Sequence, residues 1–200
     1  MTINLTEIYD VTLKKYIRGA AKDGFVRPTL GECFMTHKDF KEINNSLTLV
    51  GYTEDLCTTP SNAMSDYDAL LRVAARAFGN TSVSYTTTAW HGDITVNPGN
   101  TYIGYNFGVP VRIEKYTLVT TNVSPEIDSI KSWEFQGSNG GEWTTIHTVV
   151  NSPIWGVLEK RSFTFNNENT YTQYRFLITA IFGIKDLIID EIEMMEGIYE

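Results

Sequence analysis

The stretch Ile130-Lys131-Ser132-Trp133-Glu134-Phe135-Gln136-Gly137-Ser138-Asn139-Gly140-Gly141-Glu142-Trp143-Thr144-Thr145-Ile146 decides the fold. Trp133 and Phe135 alternate with Ser132 and Glu134, the period of two that a half-buried strand requires. Asn139-Gly140-Gly141 follows, and Asn-Gly is a strong hairpin signal because both residues tolerate positive φ. Trp143 and the run Thr144–Thr148 begin the return strand. Periodicity assigns Trp133 and Trp143 to a core.

Strands continue on both sides of this hairpin. Ile103, Tyr105 and Phe107 share one face of 102–107. In 111–121 the apolar phase slips between Ile113 and Tyr116, which a β-bulge near Glu114-Lys115 explains. Residues 161–165, 174–179 and 187–195 complete the set, and many short strands with few helices indicate a β-sandwich or barrel. Upstream, Ala69, Leu70, Val73, Ala74 and Ala77 predict a helix over 68–78, ended by Gly79-Asn80. Residues 1–56 read differently. A helix is predicted over 6–18, capped by Thr6 and ended by Lys14, Lys15 and Arg18. A short strand candidate, 47–52, closes the segment. We divide the chain into an extension, 1–56, and a β-domain, 57–200.

The chain of 200 residues is 42% hydrophobic and 12% aromatic, enough for a core without metal or disulfide staples. A net charge of −8 argues against nucleic acid and anionic membrane as partners. Two cysteines, Cys33 and Cys57, make no disulfide framework and read as free thiols. The first residues lack the pattern of a signal peptide, and no apolar run has the length of a membrane span. The expectation is synthesis as a soluble cytoplasmic protein, which makes the four Asn-x-Ser/Thr triplets at Asn4, Asn44, Asn80 and Asn122 chance matches.

Enzyme signatures are missing from the sequence. His37, His91 and His147 form no metal-binding or metalloprotease spacing, and there is no Gly-x-Ser-x-Gly elbow or phosphate loop. Asp190, Glu191, Glu193 and Glu196 would be scattered over both faces of a strand and read as a solvated edge. Aromatic residues in loops point instead to ligand contact, since sugar recognition pairs a ring with hydrogen-bonding side chains. The candidates are Trp90, His91 and Asp93 in one loop and Trp155, bounded by Pro153 and Gly156, in another. Tyr102 and Tyr171 stand at strand ends as further aromatic candidates.

Taken in order, these pieces resemble the discoidin family, the coagulation-factor V/VIII C-type domains with a galactose-binding-like fold. The markers are Ala77-Phe-Gly-Asn80 followed by Thr88-Ala-Trp90, Tyr102-Ile-Gly-Tyr-Asn-Phe-Gly108, Val111-Arg-Ile-Glu-Lys-Tyr116, the Trp133–Trp143 hairpin, Tyr174-Arg-Phe-Leu-Ile178 and Glu191-Ile-Glu-Met-Met195. The resemblance covers roughly residues 57–200. It implies an all-β fold, a discoidin-like jelly-roll β-sandwich with a short, partly helical N-terminal extension. It implies a non-catalytic module that contacts a glycan or another surface ligand through loops at one end. It also implies a calcium site on Asn80, Thr81 and Glu191, with Ser84 or Thr88, weakened because Gly79-Asn80 replaces a common Asp. Stand-alone relatives occur as phage virion appendages. The implied setting is therefore a virion protein, attached through residues 1–56 to other virion subunits or forming a homo-oligomer. The alternative is a purely structural virion or assembly protein whose sandwich loops bind neighbouring subunits.

Overall fold

The computed structural model describes residues 7–10, 15–18, 48–68, 73–79 and 89–199. The chain divides into two compact units, one of Met1–Val50 with Tyr199–Glu200 and one of Gly51–Ile198.

In the first unit, β1 (Glu7–Asp10) and β2 (Lys15–Arg18) form an antiparallel ribbon. This corrects the helix predicted over 6–18. Ile8, Tyr9, Tyr16 and Ile17 are β-branched or aromatic and favour a pleated surface. The register sets Glu7 opposite Arg18 and Asp10 opposite Lys15. Residues 19–47 lie outside the described residues.

The second unit is a sandwich of two antiparallel sheets. One contains β10 (Lys160–Thr164), β7 (Ile113–Thr120), β12 (Asp186–Tyr199) and β3 (Leu49–Tyr52) in that order, with β5 (Trp90–Asp93) also on β12. The other has the order β4 (Ala63–Ser65), β6 (Tyr102–Val111), β11 (Tyr171–Ile181), β8 (Ile130–Ser138), β9 (Thr144–Val149). A four-residue helical turn, Pro125–Asp128, precedes β8. The helix predicted over 68–78 is corrected where the structure describes it: Ala74–Phe78 is a 3₁₀ turn, and 69–72 lie outside the described residues.

Alternation places the rings between the sheets. Tyr116 is fully buried, its ring centroid 4.8 Å from Phe135, 4.9 Å from Phe176 and 5.1 Å from Phe163. Trp133 Nε1 donates to the Tyr116 hydroxyl at 2.8 Å, and that hydroxyl lies 2.9 Å from His147 Nδ1. The tyrosine oxygen accepts from Trp133, and the same hydroxyl makes its second hydrogen bond with His147 Nδ1. Burial pulls the His147 pKa down, which keeps the ring neutral.

The hairpin forms as predicted, with Trp133, Glu134 and Phe135 of β8 facing Val149, Thr148 and His147 of β9. Its loop differs in detail. Gly140 takes φ +91° while Asn139 does not enter the positive region. Ser138 Oγ accepts from the Gly140 and Gly141 amides, and Asn139 reaches Thr170 and Thr172 instead of forming a two-residue turn. The bulge at Glu114 is present: Met195 faces Lys115 and Glu196 faces Ile113, leaving Glu114 extra.

Two expectations about polarity are corrected. Trp143 is only partly buried. The acidic cluster of β12 is no solvated edge, since Asp190, Glu191 and Glu196 are 1%, 3% and 9% exposed. Strand β12 is flanked on both sides and interrupted by a second bulge at Asp190, so alternation does not turn these carboxylates to water. Glu196 accepts from the Arg112 amide, and Glu114 from that of Gly197, so main-chain N–H groups left over at the bulges bind the carboxylates. Cys57 is a free, buried thiol whose pKa is pushed well up by burial and by the charge of Asp55, so it is no nucleophile. Cys33, the other cysteine expected to be a free thiol, lies outside the described residues. No helix among the described residues is long and apolar enough to cross a membrane.

Candidate functional site

The connections β7–β8 (121–129), β9–β10 (150–159) and β11–β12 (182–185) converge at one end of the sandwich. Their backbones are tied together there: Phe182 N donates to Ser129 O, and Leu158 N to Thr121 O. Gly183 lies so close to Ile127 that an added Cβ would sit 2.5 Å from the Ile127 carbonyl oxygen.

Strand β5 contributes the polar groups. Its pairing with β12 sets Asp93 opposite Asp186 and His91 opposite Ile188. Burial alternates along it, with Trp90 and Gly92 inside and His91 and Asp93 towards the outside. His91 Nε2 lies 3.3 Å from Asp186 Oδ1, the side chains being 17% and 43% exposed. Asp128, on the helical turn, completes the group. Its pKa is raised by burial first and then by the charge of Asp186, while His91 pulls it down. An imidazole and two carboxylates thus share one end of the fold. Asp93 sits beside them, 3.6 Å from Lys185 Nζ. It accepts from the amide and hydroxyl of Thr95, which lowers its pKa and makes it a turn-former.

Such a group holds hydroxyls well, because a hydroxyl donates to a carboxylate while accepting from an imidazole N–H.

Of the sequence-predicted site residues, His91 and Asp93 reach this surface, and the two tryptophans do not. Trp90 is fully buried, its Nε1 donating to Tyr67 O at 3.2 Å. Its ring folds back over Gly92, where a Cβ would come within 2.6 Å of it. Trp155 is 2% exposed; its Nε1 donates to Ile130 O at 2.7 Å, and the Arg161 guanidinium lies 4.0 Å from the ring centroid. Arg161 is fixed there by the carbonyls of Pro153 and Ile154 and by Glu159. Neither ring offers a platform, which corrects the expectation for both. Each indole instead satisfies a main-chain carbonyl, the usual demand of a buried tryptophan.

Sequence reasoning missed Asp186 and Asp128, because strand register brings the first to His91 and loop closure the second. It also missed the apolar rim: Ile184 is 91% exposed, and Ile127, Val123, Ile154 and Val157 are exposed around it. Of the expected calcium set, Asn80 and Thr81 lie outside the described residues, and Glu191 is the buried carboxylate at the β12 bulge. Among the described residues no group of three or more His, Cys, Asp or Glu is placed to hold a metal.

A groove of about 520 Å³ lies elsewhere, lined by Thr53, Glu54, Asp55, Lys115, Lys160, Glu193 and Met195. Lys160 and Glu193 pair across it at 2.7 Å. The loop end has the more directed chemistry.

No family model matches the chain, and no curated protein matches it. Solved structures do. The family 32 CBM of C. perfringens NanJ, in complex with galactose, is 16% identical, with a TM-score of 0.55 over 69% of this chain and 96% of that one. Chitosan-binding module 1 of a chitosanase/glucanase from Paenibacillus sp. IK-5 is 20% identical, with a TM-score of 0.54 over 71% of this chain and 98% of that one. The lectin domain of lectinolysin, complexed with Lewis B antigen, is 13% identical, with a TM-score of 0.52 over 68% and 95%. The fold is therefore the discoidin-like, galactose-binding-like β-sandwich that the sequence resemblance implied.

Proposed function

We propose that this discoidin-like sandwich is a non-catalytic carbohydrate-binding module, which reads a glycan at the loop end around His91, Asp186 and Asp128. The observation that carries the reading is the His91–Asp186 pair at 3.3 Å beside Asp128, donors and acceptors set close together at a partly open surface. A pair of neighbouring sugar hydroxyls matches it. The structural neighbours named above, bound to galactose and to Lewis B antigen, support a glycan as the ligand class.

Calcium belongs to the proposal through Glu191. A buried carboxylate on the last strand supplies one hard oxygen, and the cation would take the rest from Asn80, Thr81 and their neighbours. A rise in melting temperature with calcium, lost in Glu191→Gln, supports this; no shift in the native chain overturns it.

The setting we propose is a phage virion appendage joined to other subunits through residues 1–56, and the sequence resemblance is what supports it. Finding the chain by mass spectrometry in purified particles supports that setting, and its absence from them refutes it. The second reading, loops that bind neighbouring protein subunits, is favoured by the exposed Ile184, Ile127, Ile154 and Val157.

The test is a glycan array with the full chain, run with calcium and with chelator, alongside His91→Ala and Asp186→Asn. Binding to a defined glycan that both folded variants lose establishes the reading. Silence across the array moves it to the protein-binding alternative.

A further inference from the structure

The outer face of the sheet β4-β6-β11-β8-β9 carries a second constellation, built from four strands and one turn. Arg175 projects outward from the middle of β11, between the inward Tyr174 and Phe176. Its Cζ lies 4.3 Å from the Trp143 ring centroid and 5.3 Å from that of Tyr102. Its Nε donates to Gln136 Oε1 at 2.8 Å. Gln136 is buried, and its Nε2 donates to Glu134 Oε2 at 2.8 Å and to Thr145 Oγ1 at 3.1 Å. Thr145 Oγ1 in turn donates to the same Glu134 oxygen at 2.7 Å. On the β6 side Arg175 faces Gly104, so no side chain of that residue stands beside it.

Arg175, Gln136, Glu134 and Thr145 hold one another by hydrogen bonds, and further hydrogen-bonding capacity is left over. Among the described residues neither Nη of Arg175 has a hydrogen bond or ion-pair partner, and Glu134 Oε1 has none. Burial costs the guanidinium part of its hydration and pulls its pKa down, against the opposing charges of Tyr102 and Glu134. Trp143 is the odd tryptophan of the chain. Trp90, Trp133 and Trp155 are buried with their indole N–H groups bonded, whereas Trp143 is partly exposed and its N–H has no partner among the described residues.

We propose that this face is a second glycan-contacting site, which takes an uncharged hexopyranose unit against Trp143. An aromatic ring suits the apolar C–H face of a pyranose; Arg175 covers one face of Trp143, so the sugar takes the other, and the planar Nη fork at the ring's edge is a donor for hydroxyl oxygens beside it. Glu134 Oε1 accepts from a hydroxyl that the arginine has polarised. Uncharged sugar is favoured over a uronate because Glu134 stands in the same network and the chain carries a net charge of −8. The site is distinct from the loop end in its residues and strands, and it rests on the reading of the protein as a carbohydrate-binding module.

The test uses the full ¹⁵N-labelled chain. Galactose, N-acetylgalactosamine, N-acetylglucosamine and glucuronate are titrated to high millimolar concentration while the four indole N–H signals and the His91 imidazole are followed. Trp143→Phe identifies its own indole signal. Expected is a saturating shift of the Trp143 signal with at least one neutral sugar, the three buried indoles staying in place, and a tenfold or greater loss of that affinity in Arg175→Gln and in Arg175→Lys. A sugar that moves the His91 signals and leaves Trp143 still overturns this site while the loop end stands. Shifts of Trp143 with glucuronate alone overturn the choice of ligand class. Silence at both places removes this proposal together with the reading on which it rests.

Discussion

Strand β11 shows two regions of the molecule within one run of five residues. Tyr174, Phe176 and Ile178 turn inward, each under 5% exposed, and join the aromatic core. Arg175 and Leu177, between them, turn outward and are partly exposed. The inner face is closed: rings at about van der Waals contact, with each buried polar atom of Tyr116 and Trp133 bonded to a named partner. The outer face is ordered but open at its ends. The difference teaches that stability and recognition are separable here, because pleating assigns alternate residues to each.

The largest effect that would break this separation is at the centre of the core. Trp133→Ala removes a fully buried indole and its bond to Tyr116, and should cost about 3–5 kcal/mol in urea unfolding. A cost under about 1 kcal/mol would mean that the packing is not as described.

Gly104→Ala tests both faces together. Its Cβ would sit 2.3 Å from the Tyr174 carbonyl oxygen, a backbone atom, and 2.9 Å from Arg175 Cβ. A loss of about 1–3 kcal/mol is expected from the strain, with Arg175 displaced as well.

Tyr116→Phe sharpens the comparison from within. It leaves the Trp133 indole N–H without its acceptor at full burial, for a cost of about 1–3 kcal/mol. His147 adds a pH dependence with a defined sign. Its folded pKa lies below the ordinary histidine value, so its contribution is fully present above pH ~6.5 and is lost as pH falls through that value towards the folded pKa. The urea midpoint should therefore drop on acidification across this window, and His147→Gln should flatten that limb.

At the small end, Trp143→Ala and His91→Ala should each change unfolding free energy by less than about 1 kcal/mol, since both side chains are partly exposed. Large losses from either would mean that the open surfaces support the fold.

Legibility followed the same division. The core could be read because alternation is local: Trp133, Phe135, Ile103 and Tyr105 declare their face by their neighbours. The bulge at Glu114 was legible as a slip in phase. The ribbon of 7–10 and 15–18 was not, since its apolar spacing fits a helix and only pairing reveals the strands. Trp143 was misassigned because the loop before β9 interrupts the alternation that Trp133 began. Trp90 and Trp155 were taken for platforms because a sequence cannot show that Gly92 leaves space beneath one ring and that Arg161 covers the other. Asp186 and Asp128 could not be found at all, because their meeting with His91 depends on the β5–β12 register and the closure of two loops. One local signal does point outward: a lone arginine between Tyr174 and Phe176 marks the strand's polar face.

The most direct test of the central claim is calorimetric titration of the full-length protein with the glycan that the array selects, before and after His91→Ala. The expected result is a saturable heat with one defined sugar, weakened at least tenfold in the variant while its melting temperature stays within a few degrees. Unchanged affinity in a folded His91→Ala protein, or no heat with any array ligand, would contradict it.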